Sequence, residues 1–424
     1  MARILLVEPE FPIPRKSRNH KSFLPIGLLK IAAYLRDRGH EVKLVRATPQ
    51  MLDSLPQAGT FDPDEVWVTS LFTYWAKYVR DAVQQCRALF PNAHIRVGGI
   101  YASLLPADDV RRYTGCDEVH QGVIPEVEEH ARTHPAAYDL VNGAHAHGVR
   151  FQILHASRGC PRECGFCGTW RIEPEFTPES SVKERIHFPG VVFYDNNFLM
   201  NPYVEGILGE LIELRRQGKL RWVESESGLD GRILVDRPHL ASMLREAGFR
   251  YPRIAWDWGY DQKRHIEEQI RILTRAGYKS RDIFVFMLYN YHIPFEEMER
   301  KRIKCWEWQV QIADCRFRPL DQLSDDYRPQ VIGQTSADYY ICEGWDDALV
   351  KQFRRNVRRQ NICVRMGYQV YSSAAEHKRL DKAELRQMLQ RDSVEDRRAY
   401  LEALGADSWT PGQISYPEGY TPRS

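Results

Sequence analysis

The sequence predicts an α/β protein: a doubly wound parallel sheet, then a second series of strand–helix units, then a mostly helical C-terminal region. Three observations predict it. Short continuous apolar runs such as Ile4–Val7 alternate with amphipathic helical stretches, the pattern of strands buried on both faces and covered by helices. The alternation pauses at the turn-rich polar stretch Asn142–Gly148 and restarts at Phe151. Beyond about residue 325 the strand runs give out and helical periods take over.

In the first series, Ile4–Val7 is a buried strand, followed by a basic, Pro-containing loop from Pro9 to Lys21. Pro25–Gly39 is an amphipathic helix with Pro near its start and Gly at its stop. Glu41–Val45 is the next strand, then Glu65–Ser70, a helix around Tyr78–Leu89, and the strand His94–Gly99. In such a sheet ligands sit at the carboxyl ends of the strands. The first domain is expected to span 1–140.

The second series is expected over 150–325. Its strands are Phe151–Leu154, Gly190–Phe198, Arg221–Ser227, Arg253–Gly259, Asp282–Asn290 and Val310–Arg318. Between them the helical stretches are Asn201–Gln217, Pro238–Ala247, Lys263–Ala276 and Phe295–Trp308. The remainder, 326–424, carries a helix at Trp345–Arg365 and a second helical pattern at Lys382–Leu404. Lys351, Arg354, Arg355, Arg358 and Arg359 form the basic outer face of the first. That face reads as solvated or paired with the acidic tail, with nucleotide or nucleic-acid binding as the sharper alternative.

Of the 424 residues, 43% are hydrophobic, enough for two or three domains with cores of their own. The net charge of +2 supplies no global field toward nucleic acid. No apolar run approaches the length of a membrane span, and the N-terminus runs straight into a strand without a signal-peptide layout. The nine cysteines are mostly isolated, which argues for a reducing compartment. A cytoplasmic location is the expectation.

The chemistry concentrates in Ser157-Arg-Gly-Cys160-Pro-Arg-Glu-Cys164-Gly-Phe-Cys167-Gly-Thr-Trp170. A short loop containing Gly and Pro can turn three sulfurs toward one inorganic centre. Structural zinc closes its shell with four protein ligands, and ferredoxin-type [4Fe–4S] sites use four thiolates. Here Cys160, Cys164 and Cys167 stand without a nearby fourth ligand, His155 apart. A cluster held by three thiolates leaves one iron open. The bland readings are a zinc knuckle with a distant fourth ligand, or buried thiols gathered by chance.

The C-x3-C-x2-C spacing, with Phe166 before the last cysteine, resembles the signature of radical S-adenosylmethionine (SAM) enzymes. The resemblance implies a [4Fe–4S] cluster on the three cysteines, with SAM chelating the open iron and cleaved to a 5′-deoxyadenosyl radical. It also implies a partial (β/α)6 barrel for the second series. By the same resemblance, Phe166 touches adenine through its backbone, and Asp195 and Asn196 face the SAM ammonium. Glu226 and Ser227 follow the third strand, where a ribose diol is one expected partner of a carboxylate. Asp257, Asn290 and Arg318 stand at later strand ends as further contacts. The bland readings are helix-capping Asx residues for Asp195 to Asn197 and a solvated strand end for Glu224 and Glu226.

Leu24-Pro-Ile-Gly-Leu-Leu and Val97-Gly-Gly-Ile-Tyr-Ala-Ser103 resemble the cobalamin-binding domain that precedes many radical SAM cores. That resemblance places Ser70, Gly98 and Gly99 along the cleft for the corrin and its nucleotide tail. The Asp-x-His-x-x-Gly motif that supplies a histidine to cobalt is absent; His20 stands in the corresponding loop without the flanking Asp and Gly. Cobalamin binding is therefore left open beside a vestigial Rossmann-like domain. His145 and His147 are a metal-ligand pair by spacing, against an ordinary solvated loop.

The implied activity is hydrogen abstraction from an unactivated carbon of a small molecule or peptide. Methyl transfer follows if cobalamin binds; rearrangement, cyclisation or oxidation follows if it does not. The implied partner is an external electron donor such as flavodoxin or ferredoxin, with neither nucleic acid nor membrane expected. A non-catalytic iron–sulfur or SAM-binding redox sensor is the alternative from another class. No catalytic residue beyond the cluster ligands is assigned.

Overall fold

The computed structural model describes residues 1–13, 24–47, 61–141 and 151–420. They form two compact units, Met1–Ser227 with Arg318–Asp326, and Gly228–Phe317 with Tyr327–Ser424.

The first unit opens with five parallel strands: β1 (Arg3–Pro9), β2 (Glu41–Ala47), β3 (Glu65–Ser70), β4 (His94–Gly99) and β5 (Glu118–Val119). Their order is β2-β1-β3-β4-β5, so the chain winds outward from β1 in both directions. Strand alternation distributes β1 between two layers. Ile4 and Leu6 pack with Leu28, Ala32 and Leu35 of the helix Ile26–Asp37. Leu5 and Val7 share the opposite cluster with Val79, Val83 and Cys86 of the helix Ala76–Leu89. Each fully buried side chain of this kind contributes about 1.5–3 kcal/mol, and both faces are covered, so an uninterrupted apolar run is what β1 requires. The doubly wound sheet is as expected.

The same unit continues into a second parallel sheet of β6 (Phe151–Leu154), β9 (Gly190–Phe193) and β10 (Trp222–Ser225), in the order β10-β9-β6. Between β6 and β9 lies a short antiparallel pair, β7 (Ser157–Arg158) with β8 (Thr177–Pro178), which brackets the cysteine loop. The helix Val204–Arg216 returns the chain from β9 to β10 and buries Ile207, Leu208, Leu211 and Leu214.

The second unit contains β11 (Arg253–Ala255), β12 (Phe284–Tyr289) and β13 (Gln311–Arg316), again parallel and in that order. All six strands expected of the second series are therefore present, as two three-stranded sheets rather than one continuous ladder. The chain leaves β10 early: Gly228 adopts φ +90°, and the following residues contribute a single bridge, Leu229 to Ile254.

The helix Asp347–Met366 is capped by the Asp346 carboxylate, which accepts from the Leu349 N–H, and stops at Gly367 in the left-handed region. Its basic side chains divide between the two expectations: Arg354, Arg355 and Arg358 are exposed, while Lys351 and Arg358 pair with acidic groups. Lys351 is buried and paired with Asp347, Arg358 pairs with Glu376, and Arg359 lies over the Tyr371 ring. The Lys382–Leu404 pattern divides into two helices, Lys382–Leu389 with a capping box of Asp381 and Glu384, and Val394–Ala403 capped by Ser393. Cys305, Cys342 and Cys363 are buried single thiols, while Cys315 is exposed. Among the described residues no helix is long and apolar enough to cross a membrane.

A candidate cysteine-loop site and its adjoining cavity

The cysteine loop is fastened before its first thiol by two carboxylates. Asp195, which follows β9, is fully buried. One oxygen accepts from the Ala156 N–H at 2.9 Å, the other from the Ser157 hydroxyl at 2.7 Å. Burial pushes its pKa up to about 6 against these hydrogen bonds. Asn201 donates to the carbonyls of Ala156 at 2.7 Å and Glu179 at 3.0 Å. Further along, Glu173 accepts from the Arg158 guanidinium at 2.5 Å and from the Gly159 N–H at 2.7 Å. Gly159 itself has φ +73°, and a Cβ there would stand 2.2 Å from the Glu175 carbonyl oxygen. Only glycine fits.

Beyond Gly159, Cys160, Cys164 and Cys167 are half-buried and in no disulfide. The Cys164 carbonyl accepts from the Cys167 N–H at 2.9 Å and from the Trp170 indole at 3.2 Å, which folds the loop back on itself. The Cys167 thiol donates to the Thr169 hydroxyl at 3.3 Å, and that hydroxyl donates to Asn196 at 3.3 Å. At Gly168 a Cβ would press to 2.9 Å from Leu104, so the loop packs closely against the short helix Ile100–Leu104 that follows β4. Three soft thiolate donors on such a loop suit an iron–sulfur cluster.

Beside the loop lies a cavity of about 420 Å³, within the size range of small-molecule sites. It opens at the carboxyl ends of the first sheet. Ser70, Gly98 and Gly99 line it, as do Asn196 and Ser227. The Ser70 hydroxyl donates to the Gly98 carbonyl at 2.7 Å and accepts from Ala102 N–H at 3.2 Å, tying β3 to β4. Gly99 has φ +98°, and its Cβ would meet the Ser70 carbonyl oxygen at 2.3 Å.

The remaining expected contacts fall elsewhere. Phe166 is half-buried within the cysteine loop, and the half-buried Glu226 donates its N–H to Phe193 at 2.9 Å. Asp257 and Asn290 belong to the second unit. Burial pushes the Asp257 carboxyl up to about 6, with Lys301 opposing, and burial pushes Lys301 down to about 8. Asn290, at φ +56°, commits its amide to the Tyr340 carbonyl at 2.8 Å and the Cys342 N–H at 2.9 Å. The structure thus gives it a backbone-clamping role. Arg318 pairs with Asp325 and lies 4.2 Å over the Tyr74 ring, within the first unit. His20, His145 and His147 lie outside the described residues.

Sequence reasoning missed the polar groups that give the cavity its character. Lys30 donates to Glu128 at 2.8 and 3.0 Å on its wall, and Arg158 joins His155 to Glu173. Burial, aided by the charges of Lys30, Arg158 and Arg185, drives the His155 pKa well below its ordinary value. A guanidinium only donates, so His155 Nε2 accepts from Arg158 at 2.9 Å and the neutral ring carries its proton on Nδ1. That Nδ1 is buried without a partner, as is Nε2 of His120. Both histidines are among the residues that line the cavity. Arg158 lies within the motif, but Glu173 carries no sequence signal that marks it.

Comparison with known proteins agrees with this layout. Residues 21–131 match the B12 binding domain family. The chain is 22% identical over 271 residues to the hopanoid C-3 methylase of Methylococcus capsulatus, covering 54% of this chain and 52% of the methylase. It spans about half the length of that relative. Among solved structures, the cobalamin-dependent SAM radical enzyme OxsB with aqua-cobalamin and SAM bound aligns with a TM-score of 0.48 at 13% identity, over 86% of this chain and 56% of that one. A cobalamin-binding protein from Desulfitobacterium hafniense aligns with a TM-score of 0.22 at 16% identity, over 30% of this chain and 55% of that one. With a B12-binding domain at residues 21–131 and a three-cysteine loop after it, the chain is similar to cobalamin-dependent radical SAM enzymes.

Proposed function

We propose that the chain is a radical SAM enzyme of the cobalamin-dependent type. In this reading Cys160, Cys164 and Cys167 hold a [4Fe–4S] cluster that, when bound, supplies the electron for cleaving SAM and so starts hydrogen abstraction from an unactivated carbon. Residues 1–140 are the cobalamin domain, 150–325 the radical core and 326–424 a C-terminal region. The substrate is a small molecule or peptide, and the electron comes from an external donor of the flavodoxin or ferredoxin kind. With cobalamin in the cleft at Ser70, Gly98 and Gly99, methyl transfer is the outcome.

The observation that carries this reading is the placement of three thiols, none in a disulfide, on one loop beside the cavity that Ser70, Gly98 and Gly99 line. The chain's own residues then have separate tasks. Asp195 and Glu173 position the backbone that presents the thiols. Asn196, hydrogen-bonded to Thr169 and lining the cavity, offers its amide to the SAM ammonium. His155, on the cavity wall, stays uncharged at neutral pH and so adds no further charge to it. The buried ion pairs Lys30–Glu128 and Arg158–Glu173 place charge on the wall without leaving it unpaired.

The test is anaerobic reconstitution with iron and sulfide, followed by SAM and a strong reductant. Release of 5′-deoxyadenosine is expected, and its loss in Cys160→Ala. A reconstituted chain that binds four irons yet never cleaves SAM overturns the proposal. Cobalamin is read separately, by its visible absorption after incubation with hydroxocobalamin.

A further inference from the structure

A second group of metal-binding side chains lies apart from the cysteine loop. His130 ends the helix Pro125–His130, and the His134 N–H bonds back to the His130 carbonyl at 3.0 Å, so the helical course continues one more turn. That spacing stacks the two imidazoles, centroids 4.2 Å apart and planes within 9°. Asp37, the last residue of the helix Ile26–Asp37, meets them. Its Oδ2 lies 2.7 Å from His130 Nε2 and 3.7 Å from His134 Nε2. These distances bracket the edge of about 3.4 Å that bonds of about 2.0–2.2 Å give a tetrahedral zinc shell. Among the described residues this is the one trio of His, Cys, Asp or Glu whose ligand atoms all lie within 4.8 Å of one another.

Two further observations prepare the trio for a cation. The Thr133 hydroxyl lies 3.3 Å from the His130 carbonyl and 2.9 Å from His134 Nδ1. With the His134 hydrogen on Nδ1 the hydroxyl oxygen accepts it and Nε2 keeps its lone pair, the outer-shell arrangement typical of ligating histidines. The two segments are also held in place before any ion arrives. Lys30, two turns before Asp37 on the same helix, is buried and paired with Glu128. Arg36 pairs with Asp139 at 2.8 Å, and the Ala137 N–H donates to the Leu29 carbonyl at 3.0 Å.

We propose that Asp37, His130 and His134 bind a divalent transition-metal ion, Zn²⁺ by donor set, which staples the helices Ile26–Asp37 and Pro125–His130 of the B12-binding domain. Two imidazole nitrogens and one carboxylate oxygen form a borderline donor set, with solvent completing the shell. On binding, the rings turn out of their parallel stack so that both Nε2 lone pairs meet the ion, and the hydrogen of the neutral His130 ring moves from Nε2 to Nδ1 with no net proton release. The site is independent of the cluster and of SAM.

The test uses the full-length, cluster-loaded chain without a polyhistidine tag, titrated with Zn²⁺ against a chromophoric chelator. One Zn²⁺ per chain is expected, with affinity lowered roughly tenfold or more in His134→Gln and in Asp37→Asn. Both residues are half-exposed or more at their side chains, so the variants are expected to keep their circular dichroism and their iron content. The thermal midpoint rises with Zn²⁺ in the parent and not in His134→Gln. Absence of stoichiometric Zn²⁺, equal affinity in parent and variants, or zinc binding that follows the cysteines instead of the histidines each overturns the proposal.

Discussion

Gly159 and Glu173 carry the geometry of the cysteine loop. Replacing Gly159 by Ala forces a methyl group to 2.2 Å from the Glu175 oxygen and a left-handed φ on an L side chain. The conformational term alone costs about 1–2 kcal/mol, and the clash obliges the backbone to move. Gly159→Ala is therefore expected to lose most of its iron on reconstitution while keeping its helical circular dichroism. Iron incorporation equal to the parent contradicts this. Glu173→Gln tests the clamp more gently, since its carbonyl accepts from only one of the two donors with full geometry. Iron content near the parent's but a faster loss of cluster absorbance under chelator is the expected result. At this scale the three cysteines were legible in the sequence because spacing alone identifies them. Asn196 and Ser227 were legible as strand-end positions, and the structure lines the cavity with both. Asn290 was legible only as a polar strand end; its commitment to Tyr340 and Cys342 depends on a contact fifty residues away in sequence, invisible to any local pattern.

Among the elements, the turn from β9 into Asp195 is one place where pH acts on the fold. In the folded chain the Asp195 carboxyl retains its proton up to about 6, above its ordinary value of 3.8, because burial disfavours the anion. Between about pH 4 and 6 the folded chain thus holds more protons at this site than the unfolded one. The stability contributed by the raised pKa is present below 4 and lost as pH rises through 6. Asp195→Asn removes that titration, so its midpoint relative to the parent should rise between pH 5 and pH 7.5; a constant offset contradicts the assignment. The helix Phe295–Glu307 supplies a second element-scale test. Arg302 is fully buried, doubly bonded to Glu299, and also donates to Gln360 and to the carbonyls of Pro411 and Gln413. Arg302→Met leaves Glu299 buried and unpaired and is expected to lower stability by about 3–5 kcal/mol, read by urea unfolding. Strand and helix positions were legible because apolar runs and helical periods are local signals. The break between Leu389 and Val394 inside one long charged pattern was not, since the cap that restarts the helix, Ser393 accepting from the Asp396 N–H, is a side-chain hydrogen bond that period analysis ignores.

For the whole molecule, the sequence reads as a doubly wound sheet joined to a cysteine-bearing core. The first unit contains that sheet and the first three core strands, and the second unit contains the other three. The partial barrel that the resemblance implies is represented among the described residues by two three-stranded parallel sheets, and the φ of +90° at Gly228 between them is a feature that no pattern of apolar residues reports. The claim on which the functional account rests is that the three thiols hold a cluster with one iron available to SAM. Electron paramagnetic resonance of the anaerobically reconstituted, reduced chain tests it most directly. The account predicts a [4Fe–4S]⁺ signal whose g-values shift on adding SAM and which is missing in Cys164→Ala. A signal that SAM leaves unchanged, or a loop that retains only tetrahedral zinc, contradicts it.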